Sequence, residues 1–275
     1  MRVNNYVFVS DLHCGDQLGL YPVGADIRLD EGGRYEPNTV QRKMWKFWKE
    51  FWTKWVPVVT KGEPYGIVVN GDLLDGVHHD SVTQITHNLT SQSRIAYEVL
   101  SPLLEAKKCK GGLFVLRGTE AHGGKSGQQE EALAFELGAH KDKEGRSARW
   151  ELWLKVGDGL VHALHHIGVT GSQAYEATAV QKELTESYVE AARWGERPPD
   201  IIIRAHRHRY IKTEVATERG RAQGVVLPGW QGKTPFAFKV AGARLSLPQF
   251  GGVVVRQGDR EFFTLHKVWS VRRDT

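Results

Sequence analysis

The sequence predicts an α/β fold in which two mixed β-sheets pack together with helices outside them, an α-β-β-α sandwich. In the first half of the chain, short apolar runs typical of strands alternate with longer segments typical of helices, which favours parallel pairing. In the last third, strand-like runs follow one another with only turns between them, which favours antiparallel pairing. The 275 residues, 40% of them hydrophobic, are enough for one core, and we expect a single domain over 1–275.

The first elements are bounded by clear sequence signals. A β-rich run over 3–10 ends at Asp11, and the Gly, Asp and Pro residues that follow predict a long loop insertion over 15–38. We expect a helix over 40–58 and a buried strand over 66–70.

The middle of the chain continues the alternation of helix and strand. A helix is expected over 92–107, interrupted near Pro102 because proline lacks the N–H that a helix requires. A short apolar run predicts a strand over 113–116, and another helix is expected over 128–137. Strict alternation of apolar and polar residues over 149–156 predicts a half-buried strand.

The remaining elements include the later strands. A Gly-Asp-Gly turn at 157–159 leads into a strand over 160–164. A helix is expected over 172–194, then a strand of three isoleucines at 201–203. From about 210 onward the pattern is β-rich.

Composition bounds the partners and the compartment. The formal net charge of +5 favours an anionic partner, nucleic acid among them, although the excess is too small to establish such binding. Cys14 and Cys109 form no disulfide spacing, and no apolar stretch is long enough to span a bilayer. The N-terminus enters a strand without room for a signal peptide. We expect a cytoplasmic protein without integral membrane association. The sequence does not indicate an oligomeric state.

Aspartate residues follow the first two predicted strands. Asp11 and His13 are two residues apart at a strand end, so both can project into one crevice beyond the sheet. The alternative is a loop aspartate that caps a backbone amide beside a surface histidine. Asp72 follows a buried strand, where a carboxylate is costly unless it is paired or metal-bound. Asp75 is better placed to orient a histidine than to bind a metal itself.

Histidines follow two later strands. His165 ends the strand over 160–164, and His206 and His208 follow the three isoleucines. Taken singly, each could be an ordinary polar turn residue. Taken with the aspartates, they predict a centre where carboxylate and imidazole bind hard divalent ions, and metal-assisted hydrolysis of phosphate esters is the first hypothesis.

These segments resemble the pattern of the calcineurin-like metallophosphoesterases, which runs Asp-x-His, Gly-Asp-x-x-Asp, Gly-Asn-His, a single His and Gly-His-x-His over almost the whole domain. The first two elements match fully. The resemblance implies two divalent ions, of Mn, Fe, Zn, Ni or Co. It implies that one ion is bound by Asp11, His13 and His208. It also implies that the other ion is bound by His165 and His206 and that Asp72 bridges the two. His165 is preferred to the alternative His166 because related sequences with a His-His pair use the first.

Two elements depart from the family pattern. Ala205 replaces the usual glycine before the last pair, and the segment 118–122 reads Gly-Thr-Glu-Ala-His in place of Gly-Asn-His. We assign Glu120 to the second metal, since a carboxylate suits a hard cation better than the hydroxyl of Thr119, which remains the competing ligand. In this variant segment and in its tail at 227–231, the chain resembles family members encoded by phages and prophages.

The residues expected to act on substrate lie beside these ligands. His122, oriented by Asp75, is assigned to catalysis as the group that steadies charge on phosphorus or protonates the leaving oxygen. Arg204, Arg207 and Arg209 flank the last ligand pair, and guanidinium groups suit phosphate, although solvated surface charges are an equal alternative for each.

The sequence therefore predicts a phosphoesterase that depends on two metal ions and activates a water for attack on phosphorus. Phosphodiester cleavage, with nucleic acid as one such substrate, is favoured over phosphomonoester hydrolysis because of the basic charge. A catalytically impaired metal-binding interaction protein remains the alternative from another class, since the third motif is altered.

Overall fold

Two mixed β-sheets with helices on their outer faces make up the part of the chain that the computed structural model describes, residues 3–78, 81–124, 126–168, 172–239, 246–258 and 262–271. This confirms the predicted fold class. The first sheet has six strands and the second has five within these ranges.

The first sheet has the spatial order β11-β10-β1-β2-β3-β4. Its strands are β1 (Asn5–Val9), β2 (Tyr65–Asn70), β3 (Cys109–Leu116), β4 (Ala148–Arg149), β10 (Gln249–Gln257) and β11 (Phe262–Ser270). Strands β1 to β4 pair in parallel, and β10 pairs antiparallel with both β1 and β11.

The second sheet has the order β5-β6-β7-β9-β8. Its strands are β5 (Glu151–Val156), β6 (Gly159–Leu164), β7 (Ile201–Arg204), β8 (Ile211–Thr217) and β9 (Gly220–Val226). The pairs β6–β7 and β7–β9 are parallel, whereas β5–β6 and β8–β9 are antiparallel hairpins. Burial along β5 alternates residue by residue, as its sequence predicts.

The four predicted helices lie close to their predicted positions, and two short helices, over 120–123 and 235–239, were not predicted. The helices are α1 (Thr39–Glu50), α2 (Val56–Val59), α3 (Leu89–Leu104), α4 (Glu120–Gly123), α5 (Gln128–Glu136), α6 (Glu176–Trp194) and α7 (Pro235–Lys239), with a π-helical segment, Phe51–Trp55, joining α1 to α2. The interruption predicted at Pro102 is wrong. Pro102 lies in the last turn of α3, where its missing N–H removes one hydrogen bond without ending the helix. No helix in the described ranges is both long and apolar enough to cross a membrane.

Alternating side chains of each central strand divide between two cores. In β1, Phe8 packs between the sheets whereas Val7 and Val9 face the helical layer. In β7, Ile201 and Ile203 pack between the sheets and Ile202 faces α6. Because both faces of these strands are buried, polar residues are left only to the strand ends.

Candidate metal centre

The carboxyl ends of five strands, β1, β2, β3, β6 and β7, bring the predicted aspartates and histidines into one cavity of about 720 Å³. Lining residues that the sequence singled out are His13, Asp72, Asp75, Thr119, His122, His206, Arg207, His208 and Arg209. Asp11 and His165 lie beneath them and are fully buried. Ligands far apart in the chain therefore meet because the parallel strands of both sheets end on the same side of the sandwich.

Five of these residues have left-handed backbone, which non-glycine residues seldom adopt. Their φ angles are 53° at Asp11, 44° at His13, 51° at Asp72, 70° at His206 and 52° at His208. Elsewhere in the described ranges only Lys61 shares this conformation among non-glycine residues. It costs on the order of 1–2 kcal/mol per residue, less for Asp and His than for bulkier side chains. Strained backbone is therefore concentrated at the predicted ligands.

Backbone hydrogen bonds between the first two strand-end loops support this conformation. The N–H groups of Asp11, His13 and Cys14 donate to the carbonyls of Gly71, Asp72 and Leu73 at 3.1, 3.0 and 2.9 Å. The two loops thus continue side by side beyond the ends of β1 and β2, which fixes the side chains that they carry.

The first ligand group consists of Asp11, His13 and His208. His208 Nε2 lies 3.2 Å from Asp11 Oδ1 and 3.3 Å from His13 Nε2. The other ring nitrogen of His13, Nδ1, lies 3.1 Å from Asp75 Oδ1, so Asp75 orients His13 with Nε2 toward the centre. Three potential ligand atoms therefore converge on one point.

The second ligand group consists of Asp72, His165 and His206. His165 Nδ1 donates to the carbonyl of Asn70 at 2.6 Å, which directs Nε2 toward Asp72 Oδ2, 3.1 Å away. His166, the alternative to His165, is exposed and belongs neither to this group nor to the other two found among the described residues, which are Asp11, His13 and His208, and His13, Asp75 and His122. The geometry thus brings His165, and not His166, to the centre.

The two groups share their carboxylates. Asp72 Oδ2 lies 3.1 Å from His165 Nε2 and 4.0 Å from His13 Nε2. Asp11 Oδ1 lies 3.2 Å from His208 Nε2 and 3.9 Å from His165 Nε2. An oxygen within reach of both groups is the arrangement that a bridging ligand needs.

Buried atoms without hydrogen bonds show that the centre suits a cation. Asp11 Oδ1 and His165 Nε2 are inaccessible to solvent and have no hydrogen-bond partner within the described residues. His165 Nε2 lies 3.1 Å from Asp72 Oδ2, but the two atoms are not aligned for a hydrogen bond. This is the geometry expected when both atoms point toward a metal position between them. Hard divalent ions take this combination of carboxylate oxygen and imidazole nitrogen. The residues present therefore fit a metal.

Electrostatics agree with this fit. Burial opposes charge on His13, but the hydrogen bond with Asp75 and the charge of Asp72 outweigh it and raise its pKa to about 9. Burial likewise opposes charge on His165, but the charge of Asp72 and the contact with it raise its pKa to about 10. For Asp72, burial is outweighed by His165, and its pKa is lowered well below the ordinary value. The cluster of carboxylates thus favours positive charge at its centre.

The third motif differs from its assignment. Glu120 begins α4 with an exposed side chain, and it neither joins a ligand group found among the described residues nor lines the cavity. Thr119 lines the cavity, and both its N–H and its hydroxyl donate to Asp72 Oδ1, at 2.7 and 3.1 Å. The structure therefore does not bring Glu120 to the centre, because the start of the helix directs it to solvent while the preceding residue faces Asp72.

His122 reaches the cavity, but Asp75 holds it in an unexpected way. His122 Nδ1 donates to the backbone carbonyl of Asp75 at 2.5 Å, and it lies 3.9 Å from the carboxylate, which contacts His13 and His78 instead. His122 Nε2 consequently faces Asp72 Oδ2 at 4.0 Å. Burial and the charge of His13 lower the pKa of His122 to about 4, so its Nε2 is an acceptor in the metal-free protein.

The three arginines have different surroundings. Arg204 is buried, and its guanidinium pairs with Glu183 at 2.6 Å and donates to the carbonyls of His162 and Ile203. It lies at the end of β7 with these partners and does not line the cavity, so its assignment to phosphate is corrected to an ion pair behind the strand. Arg207 and Arg209 do line the cavity, with Arg209 Nε 2.8 Å from Glu176.

Two residues that sequence reasoning missed support the centre. Glu130 in α5 is buried behind Asp72 and accepts from the N–H groups of Gly118 and Leu73. Burial and the charge of Asp72 raise the pKa of Glu130 to about 7. Gln231 donates to Asp16 Oδ2 at 2.5 Å and to Asp75 Oδ1 at 3.3 Å. Only Gln231 carried any sequence signal, as the last residue of the tail at 227–231.

Fold and site together define the chain as a two-sheet α/β protein whose His/Asp centre can hold divalent metal. No family model and no curated protein match it. Three solved structures that resemble it are an archaeal phosphodiesterase (TM-score 0.41, 12% identity, 96% of this chain and 99% of that one), Vps29 of Chaetomium thermophilum (0.38, 11%, 98% and 94%) and a metallophosphoesterase of Sphaerobacter thermophilus (0.37, 11%, 98% and 89%). Likeness at this level carries no argument about activity, which rests on the residues.

Proposed function

We propose that this chain is a phosphoesterase of the calcineurin-like type that uses two divalent ions. The observation that carries the proposal is the shared position of Asp72 Oδ2, 3.1 Å from His165 of one ligand group and 4.0 Å from His13 of the other. A carboxylate oxygen placed between two sets of imidazoles suits a pair of metal ions better than a single one.

The proposed ligands divide as the geometry groups them: Asp11, His13 and His208 would hold one ion, His165 and His206 the other, and Asp72 lies between them. Thr119, which aligns with the asparagine of the family motif, donates its hydroxyl to Asp72. When bound, two such ions polarise a phosphoryl oxygen and lower the pKa of a water toward neutrality. The metal could be Mn, Fe, Zn, Ni or Co, because imidazole and carboxylate accept all of them.

The residues around the ligands have proposed roles of their own. His122, held through Nδ1 by the carbonyl of Asp75, presents Nε2 to the cavity, where it can carry a proton toward or away from the reacting oxygen. Asp75 fixes the ring of His13. Arg207 and Arg209 supply guanidinium groups on the same cavity wall for a phosphate.

A phosphodiester, nucleic acid included, is the substrate class that we favour. The cavity of about 720 Å³ is much larger than a phosphate needs and falls in the range of sites for whole organic ligands. Its outer wall includes Phe236, whose side chain is 59% exposed, and the cationic residue Lys239. An aromatic surface beside positive charge suits a base attached to an anionic backbone.

Metal analysis combined with a substrate screen tests the proposal. Protein reconstituted separately with each candidate metal is assayed for bound ion and for hydrolysis of p-nitrophenyl phosphate, bis(p-nitrophenyl) phosphate and single-stranded DNA. We expect two ions per chain and faster cleavage of the diesters. Good monoester hydrolysis without diester or DNA cleavage would replace the diester proposal by a phosphomonoesterase.

A metal-binding interaction protein without catalysis is the second candidate, and Thr119 is the observation that favours it. The N–H and the hydroxyl of Thr119 both donate to Asp72 Oδ1, so one oxygen of this proposed bridging carboxylate already has two hydrogen bonds. The variant His122→Ala distinguishes the two functions. Lost hydrolysis with full metal content supports the enzyme, and a parent protein that binds metal but hydrolyses none of the esters supports the binding protein.

Cellular context follows from the sequence alone. A cytoplasmic location and an origin among phage or prophage proteins remain predictions, and both are testable by the location of a tagged chain and by the genes that neighbour its own.

A further inference from the structure

A buried carboxylate behind the centre joins the two loops that carry the proposed bridging ligand. We propose that Glu130 is a positioning residue that sets which oxygen of Asp72 faces the metals, an inference that rests on the proposed metal site. Glu130 is 1% exposed and lies in α5, away from the cavity lining. It therefore acts on substrate or metal only through its neighbours.

Each oxygen of Glu130 accepts a backbone N–H from a different loop. Oε2 accepts from Gly118 at 2.8 Å, at the end of β3, and Oε1 accepts from Leu73 at 3.3 Å, at the end of β2. One side chain thus holds the two loops at a fixed separation.

These contacts close a ring around Asp72. Leu73 directly follows Asp72, and Gly118 directly precedes Thr119, whose N–H and hydroxyl both donate to Asp72 Oδ1. With Oδ1 held by Thr119, it is Oδ2 that lies 3.1 Å from His165 Nε2. Glu130 stabilises both ends of this ring, so losing it frees the carboxylate of Asp72 to turn.

The packing leaves this arrangement little tolerance. A Cβ built on Gly118 would lie 2.0 Å from Asp72 Oδ1, and one built on Gly123 would lie 2.8 Å from Glu130 Oε2. Asp72 also has the left-handed φ of 51°, and the bond from the next N–H to Glu130 holds that turn in place. A side chain in such close contact determines position and does more than fill space.

Glu131 provides a matched control on the same helix. Its oxygens also accept two backbone N–H groups, from Ser147 and Ala148 at 2.8 Å each, and it pairs with Arg117. Ser147 and Ala148 belong to β4 and its approach, outside the ligand loops. Arg117 directly precedes Gly118, but it also donates to the carbonyls of Ala148 and Ser126, which hold it without Glu131. Removing Glu131 costs comparable hydrogen bonds but leaves Asp72 in place.

The test compares the full-length variants Glu130→Ala, Glu130→Gln and Glu131→Ala by calorimetric titration with Mn²⁺ and by the visible spectrum of bound Co²⁺. We expect Glu130→Ala to weaken the affinity for the ion about 10- to 100-fold and to change the Co²⁺ spectrum, as loss of a residue that orients ligands does. Glu130→Gln, which keeps one acceptor oxygen, should recover part of the affinity. Glu131→Ala should lose stability yet keep the parent's affinity and spectrum.

Equal losses of affinity in Glu130→Ala and Glu131→Ala would overturn the inference, and so would parental affinity and spectrum in Glu130→Ala. If Glu130→Ala does not fold, Glu130→Gln decides by the same measurements, since a parental Co²⁺ spectrum and affinity there would also overturn it. A parent that binds the ions but hydrolyses no ester overturns the proposed function alone. A parent that binds no divalent ion overturns both.

Discussion

Metal binding should release about two protons per chain near neutral pH. In the metal-free protein, neighbouring carboxylates raise the pKa of His13 to about 9 and that of His165 to about 10, so both imidazoles are protonated at pH 7.5. A metal accepts only the neutral imidazole nitrogen. Each ring must therefore give up its proton when its ion binds, so the apparent affinity for each ion should rise about tenfold per pH unit from pH 7 toward pH 9.

Stability of the metal-free protein should vary with pH in the matching direction. Both histidines have a folded pKa above the unfolded value of about 6.5, so their contribution is complete below pH 6.5 and is lost as pH rises through about 9 to 10. In the metal-free protein, the protons on His13 and His165 thus supply the positive charge that balances the carboxylates. Saturating metal should remove the loss of stability at alkaline pH.

Calorimetric titration at pH 7.5 in three buffers of different ionisation enthalpy measures the proton count directly. His165→Asn should reduce the count by one, because it removes one of the two titrating rings. His166→Ala is the matched control, since His166 is exposed and outside the ligand groups, and should leave the count unchanged. A count near zero in the parent, or an equal effect of both variants, would refute the reasoning.

The remaining predictions concern single side chains. His206→Ala should lose one of the two bound ions, as measured by elemental analysis. Glu120→Gln should keep both ions, since the side chain of Glu120 is exposed. Loss of metal in Glu120→Gln would show that Glu120 is a ligand after all. Phe236→Ala should lower kcat/KM for thymidine 5′-(p-nitrophenyl phosphate) by about 5- to 150-fold, the value of one base stack, and that for methyl p-nitrophenyl phosphate much less. Phe238→Ala, equally exposed but packed under Lys233 and outside the cavity lining, should change neither, and equal effects of the two variants would exclude base stacking at Phe236. Thr119→Asn should strengthen binding of the second ion, because it adds an amide oxygen as a ligand. Calorimetric titration measures this affinity, and weaker binding would contradict the prediction.

The sequence predicted the elements and most of the centre because both depend on local signals. Apolar runs indicate the strands, and ligands gather beyond the carboxyl ends of parallel strands. The residues that follow three such strands, Asp11, Asp72 and His165, could therefore be predicted to lie together. The choice of His165 over His166 came from resemblance, and the burial of one ring and the exposure of the other agree with it.

Contacts that depend on tertiary packing could not be predicted in the same way. Arg204 lies two residues before the ligand His206, yet its guanidinium reaches Glu183 of α6, which no spacing indicates. Glu120 is the better ligand by chemistry, but the first turn of α4 directs it to solvent. Glu130 carried no signal, since its role comes from the approach of α5 to two loops that are distant in sequence.

The left-handed backbone at five proposed ligands has a consequence for how such a chain can change over generations. Together these residues cost at most about 5–10 kcal/mol relative to relaxed backbone, an upper bound comparable to the entire stability of an ordinary domain. Glycine at any of them would relieve the strain, so selection for folding alone would erode the site while it strengthened the fold. Relatives that have lost the metal chemistry should therefore accumulate glycine at these five positions and become more stable. A comparison of relatives at these positions would distinguish those that keep the chemistry from those that have lost it.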